Sequence, residues 1–96
     1  MPLLIEELPA LGGPGSGLGG VWNVVVLNDR HNTFDHVAET LAGTIPGMTL
    51  ADGYRTANAI HTRGLAIVFS GPREDAEDLW ETLDDAGLTL APLESG

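Results

Sequence analysis

The pattern of apolar and polar residues predicts three short strands separated by helices. Residues 21–27 are rich in β-branched side chains, with apolar residues on both faces, which predicts a central strand at least partly covered on both sides. Two further apolar runs, at residues 65–69 and 88–93, predict the second and third strands. Pro92 lacks a backbone N–H, so the third strand is expected at a sheet edge.

Apolar residues at helical spacing predict three amphipathic helices, two between the first and second strands and one between the second and third. Gly53, inside the second helix, is expected to weaken it by about 1 kcal/mol relative to alanine. The positions on or near the inner faces are Phe34, Val37, Ala38, Leu41 and Ile45 in the first helix, Leu50, Tyr54, Ala57, Ile60 and His61 in the second, and Ala76, Leu79, Trp80, Leu83 and Ala86 in the third.

Polar residues before each stripe predict where the helices begin. Asn32 is the predicted N-cap of the first helix, with Asp35 at N3. Thr49 and Asp52 have the spacing of a capping box for the second helix. Pro72 suits the N1 position of the third.

The predicted order of elements is β-α-α-β-α-β. It favours a small two-layer α/β (α+β) sandwich, with a three-stranded sheet and the helices packed on one face. The glycine-rich segment GGPGSGLGG precedes the first strand. We therefore expect residues 1–20 to form a flexible N-terminal extension and residues 21–96 to form a single core domain.

Composition narrows the classes of function. The chain has 14 acidic residues, four arginines and no lysine, for a formal net charge of −10, which disfavours nucleic acid as a partner. Cysteine is absent, no apolar run could span a bilayer, and no basic segment resembles a secretory signal, so a cytoplasmic protein without membrane contact is expected. Eight acids follow residue 73, and they form either a solvated helix face or a docking face for a basic partner.

The candidate chemistry lies in the turn after the first strand. Asn28 and Asp29 stand between a strand end and a helix N-terminus, where polar groups make a small recognition site, although such residues are also common turn formers. His61, near the end of the second helix, could join them or simply suit a helix C-terminus. His31 and His36 are five residues apart and do not share a helix face, so no metal site is predicted. No nucleophile context or phosphate-binding glycine pattern indicates an enzyme or a cofactor.

Four segments, in order, resemble the ClpS family, adaptors that deliver N-degron substrates to AAA+ proteases. They are VVLND at the end of the first strand, NTFDHV at the first helix, AIHTRGLA at the end of the second helix, and a final apolar strand ending Leu93-Glu94. The resemblance covers about residues 21–94. It implies that the substrate's α-amino group is held by Asn28 and His61, with negative charge from Asp29 or Asp35.

The resemblance also implies a hydrophobic pocket for the substrate's first side chain. Phe34 matches the gate of that pocket, and a bulky gate is expected to exclude β-branched side chains. Val37, Ala57, Ile60 and Thr89 match its other walls. The expected ligands are polypeptides that begin with a large hydrophobic residue.

One departure from the family pattern concerns the α-amino site. Where the family commonly has a second aspartate, this sequence has Arg30. An Arg30 guanidinium that pointed into the site would repel the substrate's ammonium group. Two like charges about 4 Å apart repel by about 1 kcal/mol in water and about 4 kcal/mol at an effective dielectric of 20. Arg30, together with Asn32, is therefore expected to modify specificity. Either Arg30 turns outward and recognition is kept, or the pocket is altered or silent and the domain binds another partner.

The resemblance implies docking to the N-domain of a ClpA- or ClpC-type unfoldase. Glu74 matches an acidic docking position of the family on the third helix. Leu79 occupies the position of a basic residue in the family, so that contact is expected to differ. The adaptor is expected to be a monomer without a cofactor.

Overall fold

The computed structural model describes residues 20–95, so the predicted extension lies outside the described residues except for Gly20. The division between extension and core therefore stays a prediction. The elements are β1 (Trp22–Leu27), α1 (Phe34–Thr44), α2 (Leu50–Arg63), β2 (Leu65–Gly71), α3 (Arg73–Asp85), β3 (Thr89–Leu90) and β4 (Glu94–Ser95).

The antiparallel sheet is built around β1. Strand β2 pairs along one edge of β1, and the short strands β3 and β4 both pair with the other, so the sheet is three strands wide. The predicted third strand is interrupted between Leu90 and Glu94. Ala91 still donates its backbone N–H to the Val25 carbonyl at 3.0 Å, an ordinary length for a hydrogen bond between strands. The prediction of a central first strand and an edge third strand is confirmed.

The helices cover one face of this sheet. Because alternate residues of a strand point to the same side, every second residue of β1 faces the helices. Val24 and Val26 are 0% and 1% exposed, whereas Asn23, Val25 and Leu27 on the other face are only partly buried. The buried cluster comprises Val24, Val26, Leu41, Ile45, Ile60, Ala66, Ala76, Leu79, Leu83 and Leu88. No helix within residues 20–95 is long and apolar enough to cross a membrane.

Two of the three predicted helix starts are shifted by one residue. Thr33, not Asn32, is the N-cap of α1, because its hydroxyl accepts a hydrogen bond from the His36 N–H at 3.0 Å. Pro72 is the N-cap of α3 rather than its N1 residue. The capping box of Thr49 and Asp52 at α2 is confirmed, with both reciprocal hydrogen bonds 3.1 Å long.

Gly53 has a packing role that its helix propensity does not reveal. It is buried where α2 crosses α1, and a Cβ at this position would lie 2.4 Å from the Ala38 carbonyl oxygen. Only a residue without a side chain allows the two helix backbones to approach this closely. The glycine therefore brings together the two helices that carry the candidate site.

Candidate functional site

The end of β1 is tied to the end of α2. The Asn28 N–H donates to the Gly64 carbonyl at 2.9 Å, and Gly64 ends α2 in the left-handed conformation, with φ of 95°. His61 lies one helical turn before Gly64, so the bond ties Asn28 to the end of the helix that carries His61. Both are exposed, and neither side chain has a hydrogen-bond partner within residues 20–95. Their polar atoms are available to a ligand.

Asp29 is occupied by contacts within the protein. One carboxylate oxygen accepts the N–H groups of His31 and Asn32, each at 2.8 Å, and the other accepts the Asn32 amide at 2.8 Å and the Thr89 hydroxyl at 2.6 Å. Partial burial raises the pKa of Asp29, but the hydrogen bonds from Thr89, Asn32 and His31 outweigh it and hold the pKa well below its usual range. Asp29 is therefore an ionised organiser of the loop.

The same loop is held against the end of α3. The Asn32 side-chain amide also donates to the Gly87 carbonyl at 2.9 Å, and the His36 Nε2–H donates to the Ala86 carbonyl at 3.0 Å. Asn32 thus joins Asp29 to the residues after α3, which explains why it does not cap α1. We call residues 28–33 the β1–α1 loop. Hydrogen bonds hold this loop to the end of α2, to β3 and to the residues after α3.

The predicted side-chain pocket combines exposed and buried residues. Phe34 is 43% exposed. Ala57 and Ile60, both on α2, are each 3% exposed and lie in the protein core. Val37 is half-buried. The Phe34 ring stacks on the ring of Tyr54, with the centroids 5.7 Å apart and the planes inclined by 30°.

Comparison with known proteins now identifies the family. The sequence profile of the ATP-dependent Clp protease adaptor protein ClpS matches residues 20–95. The ATP-dependent Clp protease adapter protein ClpS of Nostoc sp. is 51% identical over 74 residues, which cover 77% of this chain and 76% of that protein. The chain belongs to the ClpS family. The family is one of protease adaptors, so the protein is not an enzyme.

Two further relatives are more distant. The chloroplastic CLPS1 adapter of Arabidopsis thaliana is 33% identical over 67 residues, which cover 70% of this chain and 42% of that protein. The solved structure of Agrobacterium tumefaciens ClpS2 bound to L-phenylalaninamide superposes with a TM-score of 0.71 at 26% identity, covering 81% of this chain and 99% of that one. The predicted fold class and the predicted family are both confirmed.

Within this ClpS fold, Arg30 has no ion-pair partner in the part of the chain that the structure describes. The residue is exposed, and the ion pairs among residues 20–95 are formed by other arginines, Arg55 with Asp52 and Arg73 with Glu77. Asp35, in contrast, is engaged, because it accepts a hydrogen bond from the Tyr54 hydroxyl at 3.1 Å. Of these two charged residues, Asp35 is already hydrogen-bonded within the protein, whereas Arg30 forms no ion pair within residues 20–95.

Of the two predicted docking residues, only Glu74 is exposed on α3. Leu79 is 9% exposed and packs in the core, as its place in the apolar stripe predicts, so it offers little surface to a partner, and its docking role stays a prediction.

Two side chains at the site have contacts that the sequence analysis did not predict. Thr89 was expected to form a pocket wall, yet its hydroxyl supports Asp29. Tyr54 was assigned only to the inner face of α2, yet it contacts both Phe34 and Asp35. The hydrogen bond to Asp35 raises the pKa of the Tyr54 hydroxyl. The sequence does indicate that Tyr54 shares a helix face with Ala57 and His61, because the three residues follow i, i+3, i+7 spacing.

Other features lie away from this loop. An apolar cavity of about 370 Å³ opens between α2, β2 and the turn after α1, and it shares no lining residue with the candidate site. The lining residues of the cavity are Ile45, Pro46, Gly47, Met48, Asp52, Arg55, Thr56, Ala59, Ala66 and Ile67.

No group of three histidine or acidic side chains within residues 20–95 is arranged to hold a metal ion.

Proposed function

We propose that this ClpS-family protein captures polypeptides with a free N-terminal large hydrophobic residue and delivers them to a ClpA- or ClpC-type unfoldase. The observation that supports the proposal is the backbone bond from Asn28 to Gly64, because it ties Asn28 to the end of the helix that carries His61, and both residues are exposed. The ligand of the related ClpS2 supports it. L-phenylalaninamide has a free α-amino group, an aromatic side chain and an amide, as a peptide beginning with phenylalanine does.

A terminal ammonium group carries three donors and needs acceptors to replace its lost water. The Asn28 carbonyl oxygen and an unprotonated nitrogen of His61 supply two such acceptors, and a bridging water can supply another. Asp29 already accepts four hydrogen bonds, so we assign it to holding the β1–α1 loop rather than to direct contact. Its negative charge, with that of Asp35, still favours a cation nearby.

The substrate's first side chain would enter beside Phe34. The partly exposed Phe34 ring would supply an apolar contact, and the half-buried Val37 with the almost fully buried Ala57 and Ile60 would form the floor. A pocket of this kind discriminates between similar side chains by about 1–3 kcal/mol, so several large hydrophobic residues would be accepted.

A second candidate function follows from Arg30. This cation follows Asn28 and Asp29 in the loop after β1, beside the residues proposed for the α-amino site. Were its guanidinium to turn toward that site, it would repel the substrate's ammonium group, and the domain would act as a protein-interaction module with a silent pocket.

Peptide binding separates the two functions. Fluorescence anisotropy would compare peptides of identical sequence that begin with phenylalanine or leucine, each with a free or an acetylated N-terminus. Capture of N-termini predicts that the free peptides bind more tightly, whereas equal affinity would favour the silent pocket.

The variant Arg30→Asp then measures the influence of the arginine. If Arg30 only tunes recognition, the variant binds free peptides several-fold more tightly, and the gain shrinks at high salt because exposed charges are screened. If the unaltered chain does not distinguish free from acetylated peptides and the variant does, Arg30 silences the pocket.

A further inference from the structure

The contacts of Tyr54 link the predicted gate residue to the second helix. The Tyr54 ring stacks on Phe34 with centroids 5.7 Å apart, and its hydroxyl donates to Asp35, the next residue of α1, at 3.1 Å. An offset arrangement of this kind is favoured between aromatic rings. Tyr54 therefore holds two consecutive residues of the first turn of α1.

Phe34 depends on such a contact for a defined position. It is the first residue of α1, and its side chain is 43% exposed, so much of its surface has no protein neighbour. A phenylalanine in this setting can occupy more than one rotamer. The stacking with Tyr54 favours one of them and gives the gate a fixed edge.

Tyr54 also lies on the pocket side of α2. Ala57 is three residues further along and His61 is seven, so the three residues share one helix face. The buried Gly53 keeps this part of α2 in close contact with α1. Tyr54 thus stands between the gate residue and the residues expected to contact the substrate.

We propose that Tyr54 is a positioning residue that sets substrate specificity by fixing the Phe34 ring at the pocket entrance. This inference rests on the proposed capture of N-terminal residues. With the ring held in one place, side chains that are unbranched at Cβ pass it and β-branched side chains collide with it. Removal of Tyr54 frees the ring, and the penalty on β-branched side chains falls.

The test measures the ratio of affinities for two peptides with free N-termini, one beginning with phenylalanine and one with isoleucine, by fluorescence anisotropy on the full chain. Tyr54→Ala is expected to reduce the preference for phenylalanine about tenfold, within the range that pocket shape provides. Thr56→Ala, a change on another face of the same helix, should leave the ratio unchanged. Tyr54→Leu, which keeps apolar volume without the ring, should act like Tyr54→Ala and replaces it if that variant does not fold.

A double-variant cycle shows whether Tyr54 acts through the gate. In a Phe34→Ala background, Tyr54→Ala should no longer change the ratio, since the ring that it positions is absent. An unchanged ratio in Tyr54→Ala or Tyr54→Leu, or an equal loss of affinity for both peptides, would overturn the inference. So would an undiminished effect in the Phe34→Ala background.

Acetylated versions of both peptides separate this outcome from failure of the proposed function. If the unaltered chain binds free and acetylated peptides equally, capture of N-termini is wrong and the inference falls with it. If free peptides are preferred but the phenylalanine-to-isoleucine ratio does not respond to Tyr54, only the role of Tyr54 is wrong.

Discussion

Asp29 shows how one side chain organises the β1–α1 loop. Its carboxylate binds two backbone N–H groups of the loop, the Asn32 amide and the Thr89 hydroxyl, and so connects β1, the loop and β3. A carboxylate with two oxygens can accept about four hydrogen bonds, and all of them are used here. The negative charge is retained, while direct binding of a substrate is left to neighbouring residues.

Replacement of this carboxylate should cost stability. Asp29→Asn keeps the size of the side chain but converts one acceptor oxygen into a donor that faces the Asn32 and Thr89 donors, so we expect a loss of about 1–2 kcal/mol in the free energy of unfolding. Chemical denaturation measures the loss. Asp78→Asn, an equal charge change on an exposed face of α3, is the control and should change stability by less than about 0.5 kcal/mol.

The same residue predicts a pH dependence. The folded-state pKa of Asp29 lies below its ordinary value of 3.8, so the unfolded chain takes up this proton more readily than the folded chain. The stabilisation is therefore complete at neutral pH and is lost as the pH falls below about 4. Denaturation at pH 7 and pH 3 should show a larger acid loss for the unaltered chain than for Asp29→Asn. Equal losses would contradict the assigned role.

At the scale of elements, the close pairing of α1 and α2 positions the candidate site. Gly53 allows the α2 backbone to approach Ala38, and this contact brings Tyr54 beside Phe34. Helix propensity alone treats the glycine as a weak point, because propensity describes an isolated helix and contains no information about a neighbouring backbone.

A pair of glycine variants tests this interpretation. Gly53→Ala should destabilise the protein by about 1–3 kcal/mol, because the added Cβ overlaps the Ala38 carbonyl and the helices must separate. Gly43→Ala is the matched control in α1, where a Cβ meets nothing within 4 Å, and it should be neutral or stabilise by up to about 1 kcal/mol. Thermal or chemical unfolding of both variants gives the comparison, and equal effects would refute the packing role.

The elements were predictable from sequence, whereas several contacts between them were not. Periodicity located all three helices, and the capping box of Thr49 and Asp52 is a local pattern that needs no tertiary information. Asn32 was wrongly assigned as a cap because its amide bonds to Gly87, which is 55 residues away in the chain. Long-range partners of this kind leave no periodic trace in a sequence.

At the scale of the whole molecule, the β1–α1 loop and the predicted docking residue lie at opposite ends of α3. Glu74 is in the first turn of that helix, while Asn32 of the β1–α1 loop contacts Gly87, and His36 of α1 contacts Ala86, after its last turn. Twelve residues at 1.5 Å per residue separate them by about 18 Å. This separation would let the adaptor hold a substrate while Glu74 contacts an unfoldase.

The family and fold were accessible from sequence because four short segments matched in order, and the match to the ClpS profile confirms the family. The identity of the substrate-binding atoms was less accessible. Asn28 and Asp29 are adjacent in sequence and equally polar, and only the hydrogen bonds of the folded chain distinguish a free side chain from a committed one.

The most direct test of the account is the preference for a free over an acetylated N-terminus, measured by anisotropy with a peptide beginning with phenylalanine, in the unaltered chain and in Asn28→Ala and His61→Ala. We expect the unaltered chain to prefer the free peptide at least about tenfold, and each variant to lose most of that preference, since a hydrogen bond to a charged group contributes about 1.5–3 kcal/mol. Asn58→Ala, an exposed asparagine on α2, should leave the preference intact. Equal binding of the two peptides by the unaltered chain, or a preference that survives in both site variants, would contradict the account.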